Sequence, residues 1–162
     1  MRILKTRPML FLAVLATGGC AGSGATPEQE AAESAAQETI EQILAAPLAS
    51  EQYAKPERCI STMQYDSMEV LDQRHVLFKG TGDRFWLNEL RMQCVGLRRD
   101  STPVIRLRDT QLCDMDTFQA VDDMLGVWNR TSATCSLGQF TPITREQADG
   151  IRQALKEARQ AK

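Results

Sequence analysis

The chain has 162 residues, of which 43% are hydrophobic, 25% charged and 6% aromatic, and its formal net charge is -2. This composition is that of one globular domain, and it excludes a coiled coil, a collagen-like chain and a disordered tail. The small net charge also excludes a general nucleic-acid binder, which needs a basic excess to neutralise phosphates.

Residues 1–19 have the pattern of a signal peptide. A basic segment with Arg2, Lys5 and Arg7 precedes an apolar run over residues 9–16. This run is too short for a bilayer-spanning helix, which needs roughly 20 residues. We therefore predict a signal peptide over 1–19 that is removed from the mature chain.

The segment Thr17-Gly18-Gly19-Cys20 resembles a bacterial lipobox, in which cleavage occurs before a lipid-modified cysteine. One position departs from the usual pattern, because Thr17 stands where a lipobox has Leu. The resemblance implies a lipid on Cys20, with the membrane as partner through that lipid. Since Ala21 rather than Asp follows, it implies a protein anchored in the outer membrane and facing the periplasm. The alternative is an ordinary signal peptide cut after Ala25.

The rest of the chain divides by charge into an acidic tether over 20–57 and a body over 58–162. Removal of residues 1–19 takes away three bases and no acid, which changes the net charge from -2 to -5. Six glutamates and no base lie between Ala21 and Tyr53. The tether is thus predicted to carry most of the negative charge of the mature chain.

A helix is predicted within the tether. Thr26 and Pro27 are typical of a helix start, and Pro47 ends the segment. The stretch between them is rich in Ala, Glu and Gln, which favour helix, but it has few apolar residues. We expect a mostly solvated helix in which only the last turn docks.

The body alternates short β-rich runs with turns, which predicts a mainly β (α+β) fold. About seven short strands at close spacing favour a small antiparallel barrel or sandwich. The turn near Ser101 predicts an antiparallel hairpin between 94–97 and 104–108. The runs are 59–65, 68–71, 75–79, 85–87, 94–97, 104–108, 118–121 and 134–137.

A helix is predicted at the C-terminal end. Thr144 and Gln147 have the spacing of a capping box. Ala148, Ile151 and Leu155 then form an apolar stripe, so the helix is expected to cover one end or face of the sheet.

Four cysteines remain for the body if Cys20 takes a lipid: Cys59, Cys94, Cys113 and Cys135. Because the periplasm is oxidising, we predict two disulfides. The alternative is a zinc site of four thiolates, but no pair has the close spacing typical of such sites. The proposed hairpin favours Cys94–Cys113 together with Cys59–Cys135.

The body also carries a set of motifs that resembles a family of small bacterial lipoproteins known only as a domain of unknown function. The resemblance covers about Arg58 to Ile143 and implies export and disulfides, without any activity or catalytic residue. Its motifs are Cys59-Ile60, Trp86-Leu87-Asn88-Glu89-Leu90, Cys94-x-Gly96-Leu97, Leu112-Cys113-Asp114 and Cys135-Ser136-Leu137-Gly138-x-Phe140.

Residues with catalytic or metal-binding chemistry are few. His75, the single histidine, could act as a base oriented by Asp72, but the chain has no Gly-x-Ser-x-Gly motif for a nucleophile. Asp114 and Asp116, with Asp109 upstream and Asp122 and Asp123 downstream, could surround a hard cation, yet the glycine and glutamate of a calcium loop are missing. We therefore assign no catalytic residue, no metal site and no cofactor.

A basic group on the arms of the proposed hairpin is a possible anion site, since guanidinium groups bind carboxylates and phosphates in pairs of hydrogen bonds. Its members are Arg98, Arg99, Arg106 and Arg108. The alternative is a solvated strand face paired with nearby aspartates.

These observations favour a non-catalytic binding or interaction module in the cell envelope. Its partner would be an envelope protein or an anionic glycan or lipid, and nucleic acid is not expected. The alternative function is an envelope hydrolase that uses His75 with Asp72.

Overall fold

The computed structural model describes residues 26–46, 55–107, 109–124, 127–130 and 132–160. The predicted signal peptide, Cys20 and Arg108 lie outside the described residues. Within the described ranges, no helix combines the length and the apolar character needed to cross a membrane.

Two helices flank a series of short strands. Helix α1 spans Pro27–Ala45 and helix α2 spans Arg145–Gln160. The strands are β1 Cys59–Ser61, β2 Tyr65–Val70, β3 His75–Gly80, β4 Phe85–Glu89, β5 Thr102–Ile105, β6 Gln111–Cys113, β7 Thr117–Met124, β8 Val127–Arg130, β9 Cys135–Ser136 and β10 Phe140–Ile143. The predicted mainly β (α+β) fold with a C-terminal helix is confirmed.

The strands of the described ranges form three antiparallel sheets and no closed barrel. The central sheet has the order β10-β4-β3-β2. A second sheet has the order β5-β7-β8, with β9 also paired to β7, and β1 and β6 form a two-stranded ribbon. Of the two predicted architectures, the closed barrel is therefore wrong for the described strands.

Side chains of the central sheet alternate between two apolar cores, as a pleated strand requires. On β3, Val76 and Phe78 pack into the core shared with the other two sheets. Leu77 packs on the opposite face, into the core beneath the helices. By the same alternation His75 belongs to the helix-covered face, at the end of its strand.

Helix α1 is more deeply packed than its composition indicates. Ala36 and Ile40 are buried in the core that also holds Ile151 and Leu155 of α2, and Ile43 and Leu44 are partly buried against it. The expected docking of the last turn is observed, but contact begins one to two turns earlier. Small and apolar side chains at helical spacing are enough to seat one face of α1.

Both helix starts have the predicted caps. Thr26 Oγ1 accepts a hydrogen bond from the backbone N–H of Gln29 at 3.3 Å. At α2, Thr144 Oγ1 accepts from the backbone N–H of Gln147 at 3.2 Å, and Gln147 Oε1 accepts from that of Thr144 at 2.9 Å. The capping box therefore fixes where α2 begins.

The predicted hairpin between 94–97 and 104–108 is wrong. Residues Cys94–Leu97 form a turn, and β5 pairs with β7, with Thr102 opposite Val121. A turn over 62–64 likewise divides the predicted strand 59–65 into β1 and the start of β2. β5 and β1 thus pair with strands further along the chain, β7 and β6, whereas β2 pairs with the next strand, β3.

The two predicted disulfides are present, but the favoured connectivity is wrong. The bonds join Cys59 to Cys113 and Cys94 to Cys135, not Cys94 to Cys113 and Cys59 to Cys135. The register of β1 on β6 sets Cys59 directly opposite Cys113. The 94–97 turn lies beside the segment before β9, where the Ala133 N–H donates to Val95 O at 3.0 Å.

The chain passes from the second sheet to the central sheet at Gly138, and the fully buried Asn88 of β4 holds this junction. Asn88 Nδ2 donates to Gly138 O at 2.8 Å, and Asn88 Oδ1 accepts from Gly138 N at 2.9 Å. A Cβ at position 138 would collide with Glu89 O. The amide side chain thus pairs with both backbone groups of a residue that must be glycine.

Candidate functional site

His75 and Asp72 meet in the turn that joins β2 to β3. Asp72 Oδ1 accepts the backbone N–H groups of Arg74 and His75, each at 2.6 Å, which closes the turn. The same carboxylate lies 2.9 and 3.0 Å from Nδ1 of His75. Since a carboxylate only accepts, Nδ1 carries the proton and the imidazole is held in one orientation.

The environment of Asp72 favours its ionised form. Burial of the carboxyl raises its pKa, but the hydrogen bond and charge of His75, together with the two backbone N–H donors, outweigh this effect. The net result is a pKa below the ordinary value. Asp72 is therefore an anion that stabilises the turn and orients His75.

The other ring nitrogen of His75 is enclosed. The residue is 2% exposed, and its Nε2 has no hydrogen-bond partner among the described residues. A general base must reach the proton that it removes, either directly or through one water. The pair has the geometry of a base and its orienting acid, but the working nitrogen is shut away from solvent.

A cleft of about 640 Å³ opens beside this turn. Its walls are α1, the turn carrying Asp72 and His75, Gln93 with residues 97–99, and the last turns of α2. Leu71, Leu97 and Leu155 give it an apolar floor. Its volume is in the range of small-molecule sites, but polar and charged side chains make up most of its lining.

The cleft lacks the third member of a hydrolase triad. Among the described residues that line it there is no serine, threonine or cysteine. An Asp–His pair needs a nucleophile within hydrogen-bond reach to act in acyl transfer. The geometry therefore favours binding over catalysis at this position.

The predicted arginine group is divided by the fold. Arg98 and Arg99 line the cleft, whereas Arg106 is exposed at the end of β5 and is not part of the lining. Arg98 forms ion pairs with Asp122 and, at 3.6 Å, with Asp100. The structure thus brings together two members of the group and separates the third.

Two further arginines, Arg74 and Arg159, line the cleft without having been identified from the sequence. Arg159 Nη1 donates to Leu71 O at 3.1 Å, which ties the last turn of α2 to the β2–β3 turn. The available signal was its spacing, because Arg159 falls four residues after the buried Leu155 and so lies on the packed side of α2.

The aspartates considered for a cation are engaged in local contacts. Asp114 pairs with Arg58 at 3.3 Å and Arg91 at 3.6 Å, and Asp116 accepts the backbone N–H of Cys113 at 2.7 Å. Within the described part of the chain, no three His, Cys, Asp or Glu residues are grouped so as to hold a metal ion.

Comparison with known proteins gives one family. A family model described as a family of unknown function, DUF6491, matches residues 4–162. No curated protein and no solved structure matches the chain.

Proposed function

The chain belongs to DUF6491, a family of unknown function, and from its own geometry we propose that it is a non-catalytic binding module of the cell envelope. The observation that carries the proposal is the cleft beside the β2–β3 turn. It combines an apolar floor with charged side chains, and its described lining offers no nucleophile to the enclosed His75. Such a site can hold a small molecule without transforming it.

A cleft-filling substitution tests this function. Gln37 of α1 lines the cleft, whereas Gln42 of the same helix is exposed outside it. The proposed change is Gln37→Trp, with Gln42→Trp as the matched control. We expect a small-molecule extract of the cell envelope to raise the melting temperature of the wild type and of Gln42→Trp, because a bound ligand stabilises the folded state.

The Gln37→Trp protein should gain nothing from the same extract. An unchanged melting temperature of the wild type would contradict the binding function. An equal gain in Gln37→Trp would place the ligand outside the cleft.

The envelope location is supported by the signal-peptide pattern of residues 1–19 and by the two disulfides, which persist in oxidising compartments. The proposal includes lipid attachment at Cys20, with the body facing the periplasm from the outer membrane. Mass spectrometry of the mature N-terminus tests it. An acylated chain starting at Cys20 is expected, and an unmodified chain starting at Thr26 would contradict the lipid anchor.

A hydrolase is the second candidate, because the contact of 2.9 Å between His75 Nδ1 and Asp72 is the orienting half of a triad. It is weaker, since Nε2 is buried and no nucleophile lines the described cleft. Under the binding proposal, wild type and His75→Gln hydrolyse a nitrophenyl ester equally slowly. A hundredfold loss in His75→Gln would establish the hydrolase instead.

A further inference from the structure

The cleft has a surplus of positive charge among its described lining residues. Four arginines line it, whereas its carboxylates are only those of Glu33 and Asp72. Asp72 is already committed to His75 and to two backbone N–H groups. The lining arginines are Arg74, Arg98, Arg99 and Arg159.

The positive charges of two of these arginines, Arg99 and Arg159, are only weakly neutralised by carboxylates of the protein. The ion pair of Arg99 with Glu69 is long, at 3.8 Å, and Glu69 also binds Arg152 at 2.6 Å. Arg159 donates one hydrogen bond to the backbone carbonyl of Leu71. Among the described residues, no carboxylate lies within ion-pair distance of its guanidinium group. By contrast, Arg74 pairs with Glu89 at 3.1 Å, and Arg98 is held by two aspartates.

Arg99 and Arg159 also act on each other. Partial burial and then the positive charge of Arg99 lower the pKa of Arg159, against the opposing effect of the Asp72 carboxylate. Two like charges near one cleft disfavour each other, and an anion between them would relieve the repulsion. The side chain of Arg99 remains half exposed and so is accessible to such an anion.

We propose that the cleft binds a small organic anion, whose phosphate or carboxylate group is held by Arg99 and Arg159 while its apolar part lies against Leu97, Leu155 and Ala158. The inference rests on the binding function proposed above and adds the chemical class of the ligand. Guanidinium groups suit this role because they donate two parallel hydrogen bonds to either kind of anion. The volume of about 640 Å³ is sufficient for a ligand of this kind.

Phenyl phosphate, benzoate and neutral benzamide are suitable probes, since they share an aromatic body and differ in charge. Titration calorimetry is carried out on the full chain in nonionic detergent. We expect phenyl phosphate or benzoate to bind and benzamide not to bind. The stronger of the two anions identifies whether phosphate or carboxylate is preferred, and its Kd should rise with salt concentration as charges are screened.

Arg99→Gln should weaken binding of the preferred anion at least tenfold, and Arg99→Lys should weaken it less. Arg106→Gln is the matched control, because Arg106 is exposed and lies outside the cleft. It should leave the Kd unchanged. Thermal unfolding of each variant verifies that the fold is retained.

Binding of benzamide as tight as that of the anions, or equal losses in Arg99→Gln and Arg106→Gln, would overturn the proposal. So would the absence of binding by both anions. If neither anion binds but the envelope extract still stabilises wild type and not Gln37→Trp, the ligand class is wrong and the binding function stands. If the extract also has no effect, both are wrong.

Discussion

The two faces of the central sheet are covered by elements of very different length. On one face lie α1 and α2, with 19 and 16 residues; α2 buries an apolar stripe that includes Ile151 and Leu155, and α1 buries Ala36 and Ile40 against it. On the other face lie short strands and turns, down to the two residues of β9. Both disulfides are on this second side.

The difference shows where cross-links are needed. A long amphipathic helix gains enough buried area to stay in place without a covalent bond. A strand of two or three residues buries only one or two side chains, so its position depends on its neighbours. The disulfides fix the ribbon and the 94–97 turn to partners that are distant in sequence.

Of the changes considered, loss of the disulfides should lower the free energy of unfolding the most. The bonds close separations of 54 and 41 residues, and chain entropy predicts a contribution of about 4 kcal/mol from each. Paired Cys→Ala substitutions, Cys94 with Cys135 or Cys59 with Cys113, should lower the free energy of urea unfolding by about this amount. Thiol labelling of unfolded, unreduced wild type should modify none of the four cysteines.

If all four cysteines are labelled without reductant, the second side is held by packing alone. The comparison between the two faces would then be wrong.

Ile40→Ala tests the helix-covered face. Ile40 is 1% exposed, and truncation of a buried isoleucine costs about 2–4 kcal/mol. The neighbouring exposed residue provides the control, since Glu41→Ala should change the free energy of unfolding by less than about 0.5 kcal/mol. Equal, small losses in both variants would mean that α1 is a solvated tether. Chemical denaturation measures both.

Asp72→Asn, in the β2–β3 turn beside the helices, should lower the free energy of unfolding by a smaller amount that depends on pH. Asparagine keeps an oxygen for the backbone N–H groups but loses the charge that binds His75, at a cost of about 1–3 kcal/mol at pH 7. Because the folded-state pKa of Asp72 is lowered, its stabilisation is complete above the ordinary value of 3.8 and is lost as pH falls below it.

The difference in unfolding free energy between wild type and Asp72→Asn should therefore be constant at neutral pH and shrink as the pH falls below about 3.8. Asp109→Asn, an exposed aspartate outside the turn, serves as the control. A difference that stays constant as the pH falls would show that the charge of Asp72 does not contribute.

Local patterns in the sequence predicted the local structure well. At both helix starts, the capping residue and its hydrogen-bond partner are three positions apart in sequence. His75 and Asp72 are likewise three positions apart, at the two ends of a four-residue turn. In each case the partners are close in sequence, so residue type and spacing are sufficient.

Long-range pairing was the part that could not be predicted. The disulfide connectivity depends on β1 pairing with β6 and on the 94–97 turn lying beside the segment before β9, and nothing in the short apolar runs selects these partners. The arginines of the cleft come from a turn, a loop and the last turn of α2. Their meeting is a result of tertiary packing, which one sequence does not specify.

The contact between Asn88 and Gly138 couples the sheets in a further way. Separating the two residues would leave four buried polar atoms without partners, each at a cost of about 1–3 kcal/mol. Small local fluctuations cannot supply this free energy. We therefore expect β9 and β10, which lie on either side of Gly138, to open together rather than separately, as hydrogen exchange of their backbone N–H groups would reveal.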